Sequence, residues 1–167
     1  MARLEVRILG DAILRERAEE VGELTPELHK LIEDMFETMY AEDGVGLAAP
    51  QVGVRQRIIV IDPHEEGQSG FALINPVIVE SSKQVERGEE GCLSIPNIKD
   101  VVERPFAVVA QGQLVDGTMQ RIEAEGLLAR ILQHEVDHLN GILFIDRLSP
   151  LKRKLVLSKW HKVKPGA

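Results

Sequence analysis

The stretch from Glu125 to Leu139 constrains this chain more than any other, because Leu127, Ile131, His134 and His138 follow helical spacing. An apolar stripe that continues into two histidines points them inward, where unpartnered imidazoles are costly. Histidines at i and i+4 lie one turn apart on one face and can reach a single metal ion, with Glu135 projecting beside them. The spacing predicts a buried metal-binding helix from about Glu125 to Leu139. Asn140-Gly141 stops it, a pair suited to a left-handed cap.

Catalytic metal sites usually have three protein ligands and an open position, so a third ligand must come from elsewhere. The chain has one cysteine, Cys92, which cannot form an intrachain disulfide. It sits in Glu90-Gly91-Cys92-Leu93-Ser94, with Gly88 before it and Pro96 after. Beside a metal motif such a thiol reads as a thiolate ligand. The competing ligand is His161, 23 residues after His138, a spacing similar to the downstream ligand of zinc peptidases. Its neighbours Lys159 and Lys162 would repel a divalent cation. Cys92, His134 and His138 are therefore the expected metal set.

The remaining pattern predicts further elements. Thr25-Pro26 is an N-cap followed by proline at the first helical position, and Leu28, Leu31, Ile32, Met35, Phe36 and Met39 recur at helical spacing to about Ala41. Gly44 to Gly53 holds too many glycines to continue that helix and reads as a loop or irregular strand. From Arg57 to Val115 the chain is β-like, with segments 58–61, 71–74, 77–79 and 107–109 broken by Asp62-Pro63, Asn75-Pro76 and Asp116-Gly117 turns. Short strands with turns between them favour antiparallel pairing. A last helix starts at Ser149-Pro150 and stops before Pro165.

A chain of 167 residues, 44% hydrophobic and 28% charged, is expected to form one soluble domain over residues 1–167. No apolar run approaches the roughly 20 residues that span a bilayer. The charged N-terminus lacks the apolar core of a secretory signal, so a cytoplasmic location is expected. The net charge of −7 is uneven: from Arg147 onward there are seven Lys and Arg and no Asp or Glu, which leaves −14 on the rest. The basic helix at 149–164 is either a solvated face or a docking element for a polyanion.

Three segments together resemble the peptide deformylase family: Gly44-Val45-Gly46-Leu47-Ala48-Ala49-Pro50-Gln51, Glu90-Gly91-Cys92-Leu93-Ser94 and Gln133-His134-Glu135-Val136-Asp137-His138-Leu139-Asn140-Gly141. The likeness extends from Ile8-Leu9-Gly10-Asp11 to Ser149-Pro150. It implies an α+β fold, with antiparallel β-sheets around the central metal-binding helix, an N-terminal helix and a C-terminal helix. The activity it implies is removal of formate from the N-terminal formylmethionine of nascent polypeptides. The helical tail is similar to the subclass that ends in a helix.

A divalent ion held by the three ligands would acidify water, and Glu135 can take that proton and pass it to the leaving nitrogen. The resemblance gives oxyanion stabilisation to the Gln51 side-chain amide and the Leu93 backbone N–H, and peptide pairing to the backbone of Gly46 and Gly91. Val45, Leu127 and Ile131 are candidates for the methionine pocket, with the aliphatic stem of Arg130 at its rim. Asp137 could hold Arg104 or stand as a plain solvent-exposed carboxylate. The resemblance implies Fe2+ as the native ion, with Ni2+ or Co2+ as active substitutes and Zn2+ as a much poorer one. Expected partners are formylated nascent peptides and, weakly, the ribosome through the basic helix, with no role for DNA or a membrane. The rival readings are a zinc peptidase using His161 and a non-catalytic ribosome-binding module of the same fold.

Overall fold

The structure, a computed structural model, describes residues 2–67 and 69–165. Met1, Gln68, Gly166 and Ala167, which fall within the expected 1–167 span, lie outside the described residues. The first helix, α1, runs Pro26–Ala41, and Thr25 caps it by accepting from the Leu28 amide at 3.2 Å. Its face of Leu28, Ile32, Met35 and Met39 is buried. Five strands form one antiparallel sheet in the order β1 (Gly46–Ala48), β2 (Ile58–Ile61), β3 (Phe71–Ser81), β6 (Ala107–Gln113) and β7 (Met119–Glu125). A separate hairpin pairs β4 (Val85–Cys92) with β5 (Ile95–Pro105).

The apolar run of β2 is buried along its whole length because both faces are covered. Alternation sends Ile58 and Val60 toward α1, and Ile59 and Ile61 toward α2 (Gly126–Leu139). The central helix thus has the five-stranded sheet on one side. On its other side lies the hairpin, whose Ile95, Ile98 and Val102 pack with Phe144, Val156 and Trp160. Val156 and Trp160 belong to the last helix, α3 (Pro150–Val163), capped by Ser149. The expected α+β arrangement is present. Among the described residues no helix is long and apolar enough to cross a membrane.

Three expectations need correction. Asn75-Pro76 is not a turn but an irregularity inside the single strand β3, where the register against β6 shifts between Ile74 and Val77. Asn75 adopts φ 53° because its side-chain amide pairs with both backbone groups of Val21, each at 2.9 Å, and this long-range contact replaces the local turn. Strand β7 extends the β region beyond Val115. Its sequence is mostly polar because β7 is an edge strand with much of its surface in water, and Ala124 is its one buried residue. The β4–β5 hairpin lies in the stretch read as β-like, but between the segments picked out by apolar runs.

Candidate metal centre and active site

The central helix turns His134 and His138 the same way, with their Nε2 atoms 3.2 Å apart. The end of β4 brings up Cys92, whose Sγ lies 3.4 Å from His138 Nε2. A register shift between Gly91 and Cys92 re-aims that side chain, a common use of strand irregularities next to sites. One ligand atom from each of the three residues lies within 4.8 Å of the others, the only such group among the described residues.

This set fits a divalent ion. His134 Nδ1 donates to Glu90 Oε1 at 2.9 Å, which orients the ring and points Nε2 at Cys92 and His138. Burial, with His134 and Arg104 close by, holds His138 well below the ordinary imidazole range, so its ring is neutral. The two Nε2 atoms stand 3.2 Å apart beside Cys92 Sγ, so three donor atoms converge where an ion would be shared. Thiolate and imidazole together suit zinc, iron, nickel or cobalt.

Glu90 is the residue that sequence reasoning missed, although it stands inside a segment already singled out. Arg104 grips it through two nitrogens at 2.6 and 2.9 Å, and Arg130 Nη1 adds a third bond at 2.6 Å. Burial works against its ionisation, yet the bonds from His134 and Arg104 hold its carboxyl down at about 2. Arg104 also reaches Asp137 at 3.0 Å, and Asp137 accepts from Arg147 at 2.8 Å. The expected Asp137–Arg104 pair is present and buried, and Asp137 is 8% exposed rather than solvated. A chain of charges therefore runs from the candidate ligand His134 to Arg147. The available signal was Glu90 itself, a carboxylate without another assignment two residues before the cysteine of the expected metal set.

Arg130 was expected at a pocket rim. It lines the cavity over the site, and its guanidinium enters this buried network, also bonding the carbonyls of Glu86 at 2.7 Å and Val102 at 2.9 Å. Gly88 makes room for it, since a Cβ there would sit 2.9 Å from Arg130 Nε.

Glu135 is 4% exposed, and its Oε1 has no hydrogen-bond partner. Burial, reinforced by Glu90 and Asp137 against the pull of His134 and Arg104, pushes its carboxyl up to about 7. Its other oxygen lies against the backbone of Gly46, where a Cβ would stand 2.6 Å from Oε2. Gly46→Ala must therefore displace the carboxylate. Misplacing a reacting group by about 1 Å can cost about 10²-fold, so kcat should fall by that order with bound metal unchanged, as checked by turnover and metal analysis on one preparation.

Gln51 is buried, as expected, and both ends of its amide are fixed. Oε1 accepts from the Ala48 amide at 2.9 Å, while Nε2 donates to Ser94 Oγ at 3.1 Å and faces Cys92 Sγ at 3.4 Å. A cavity of about 480 Å³ opens over this assembly, lined by Val45, Gly46, Gln51, Gly91, Cys92, Leu93, Leu127, Arg130, Ile131, His134 and Glu135. Every expected site residue lines it except His138, which lies behind the others at 1% exposure. His161 does not join the set. It stands in the last turn of α3, beside a separate groove with Leu9, Leu14 and Trp160.

The polypeptide deformylase family model matches residues 3–154. The chain belongs to the polypeptide deformylase family. The peptide deformylase of Thermodesulfovibrio yellowstonii is 49% identical over 166 residues, covering 98% of this chain and 100% of that protein. Among solved structures, the peptide deformylase from Legionella pneumophila is 45% identical and superposes with a TM-score of 0.92 over 98% of this chain and 96% of that one. The peptide deformylase from Synechococcus elongatus in complex with actinonin is 44% identical, with a TM-score of 0.90 over 95% of this chain and 88% of that one. Family membership makes the chain a metal-dependent hydrolase and favours neither the zinc-peptidase nor the non-catalytic reading.

Proposed function

We propose that this chain hydrolyses the formamide of N-terminal formylmethionine on nascent polypeptides, with Cys92, His134 and His138 holding one divalent ion. The carrying observation is a buried carboxylate, Glu135, in the same cavity as Cys92 and His134 of that set, with His138 just behind them. When bound, the ion supplies a Lewis acid that activates water and polarises the formyl oxygen. Glu135 takes the proton released on attack and hands it to the departing nitrogen. Its burial keeps the carboxyl's proton affinity high enough for both transfers. Gln51 Nε2 and the Leu93 backbone N–H donate to the developing oxyanion. Ser94 and Ala48 hold the Gln51 amide in place beforehand, so little reorganisation is needed during the reaction.

The substrate enters as an extended strand. β1 is an edge of the five-stranded sheet, and β4 pairs only with β5, so both leave an open edge beside the cavity. Gly46 and Gly91 present backbone groups to the peptide, a pairing that ignores side chains beyond the first. Val45, Leu127 and Ile131 receive the methionine side chain. Ferrous iron is the native ion in this reading, with nickel, cobalt or zinc as replacements, and the reaction takes place in the cytoplasm. Anaerobic metal analysis paired with formate release from formyl-Met-Ala tests it. One ion per chain with formate release is expected; an inert, metal-loaded chain would overturn the assignment.

The basic helix supports weak docking to the ribosome. Lys154, Lys159 and Lys162 are exposed, whereas Val156 and Trp160 are buried and anchor α3 to the core. Reversing those three lysines to glutamate is therefore a cleaner test than truncation. Ribosome cosedimentation should fall with the substitutions and, in the unsubstituted chain, with rising salt, since phosphate contacts release counterions. Hydrolysis of short formyl peptides should persist. Binding indifferent to both would leave α3 as a solvated face.

A further inference from the structure

The lip of the cavity at Gly44 to Gly46 is held by a cluster outside the metal centre. The Gly44 amide donates to Met39 O at 2.9 Å, and Val45 O accepts from the Asp62 amide at 2.8 Å. The third tie is a side chain: His64 Nε2 lies 3.1 Å from Gly44 O, and since a carbonyl only accepts, Nε2 carries the proton. Asp62 organises this contact. Its carboxylate accepts from the His64 amide at 2.8 Å and from the Tyr40 hydroxyl at 2.7 Å. The Tyr40 ring stands 5.9 Å from the His64 ring.

Two residues of this region adopt left-handed backbone that non-glycine residues rarely take, Asp43 at φ 56° and His64 at φ 59°. Asp and His take such conformations more readily than most residues, and they persist where the surroundings impose them. The His64 side chain is 49% exposed, so core packing does not account for its placement. What it does make is the bond to Gly44, two residues before the open strand edge at Gly46.

We propose that His64 is a positioning residue for the reaction, clasping the Gly44 carbonyl so that the Val45–Gly46 edge is held ready to pair with the peptide substrate. This rests on the reading of Gly46 as a peptide-pairing strand. Releasing the carbonyl frees the segment between α1 and β1 to shift, and the loss falls on peptide binding. Gln51 and the three metal ligands sit on other ties, and Glu135 is carried by α2.

Steady-state kinetics on the metal-loaded enzyme test the clasp, using formyl-Met-Ala-Ser and formyl-Met amide as substrates. A hydrogen bond of ordinary net strength corresponds to about three- to tenfold, so His64→Ala should raise KM for the tripeptide by that factor and leave kcat unchanged. The shorter substrate, with less backbone to pair, should respond less. His64→Gln, which offers an N–H at similar reach, should restore KM. An unchanged KM in His64→Ala, an equal loss on both substrates, or no rescue by glutamine overturns the proposal. Thermal midpoints measured alongside exclude general destabilisation. A wild-type chain that releases no formate would overturn the deformylase reading and the clasp with it, whereas an active wild type with an unaffected variant would overturn the clasp alone.

Discussion

Replacing Glu135 by alanine is expected to abolish nearly all turnover while leaving bound metal in place. Glu135 is on no ligand path: His134 is oriented by Glu90, and Cys92 comes from another element. General acid–base transfer contributes about 10²- to 10⁴-fold, and kcat for formyl-Met-Ala should drop by that range. The fold should not suffer. Oε1 has no partner and the group is buried, so its removal relieves an unsatisfied polar atom instead of breaking a bond. A thermal midpoint equal to or above that of the parent is therefore expected with the loss of rate, as at other sites where activity and stability oppose each other. A variant that kept more than about a tenth of the parent rate would show that another group moves the proton.

Cys92→Ala should lose tight metal binding, and His161→Ala should keep it. Removing one of three ligands leaves two histidines, and an ion so held would be readily stripped by a chelator. Equilibrium dialysis against a metal buffer, read with formate release, separates the two variants. The chain should remain folded without the ion, because Cys92 packs against the cluster of Ile95, Phe144 and Trp160, which is closed by apolar packing. The reverse outcome, with His161 required and Cys92 dispensable, would move the metal site to the last turn of α3, where His161 stands apart from the group of Cys92, His134 and His138. Circular dichroism on both variants distinguishes metal loss from unfolding.

What could be read in advance follows the range of the interactions. The start of α1 at Pro26 and the end of α2 at Leu139 were legible, because a cap, a proline at the first turn and a left-handed Gly141 act over a few residues. The i, i+4 histidines were legible for the same reason. Strand β7 was not: as an edge strand it has little apolar alternation to show. The break in β3 was misread because Asn75 answers to Val21, 54 residues away, and not to its neighbours.

The sequence by itself determined which residue types could carry the chemistry and that one helix would face its histidines inward. Helical geometry converts spacing directly into direction. The tertiary structure alone decided which partners those residues meet. Glu90 became the hub of the site because the hairpin lays it against His134, Arg104 and Arg130 at once. Gly46 became a fitted position because β1 crosses Glu135, and His64 became a clasp because a loop 20 residues from Gly44 folds back over it. Contacts of this kind depend on register and crossing of distant elements, which buried apolar area fixes across the whole core and no local pattern encodes.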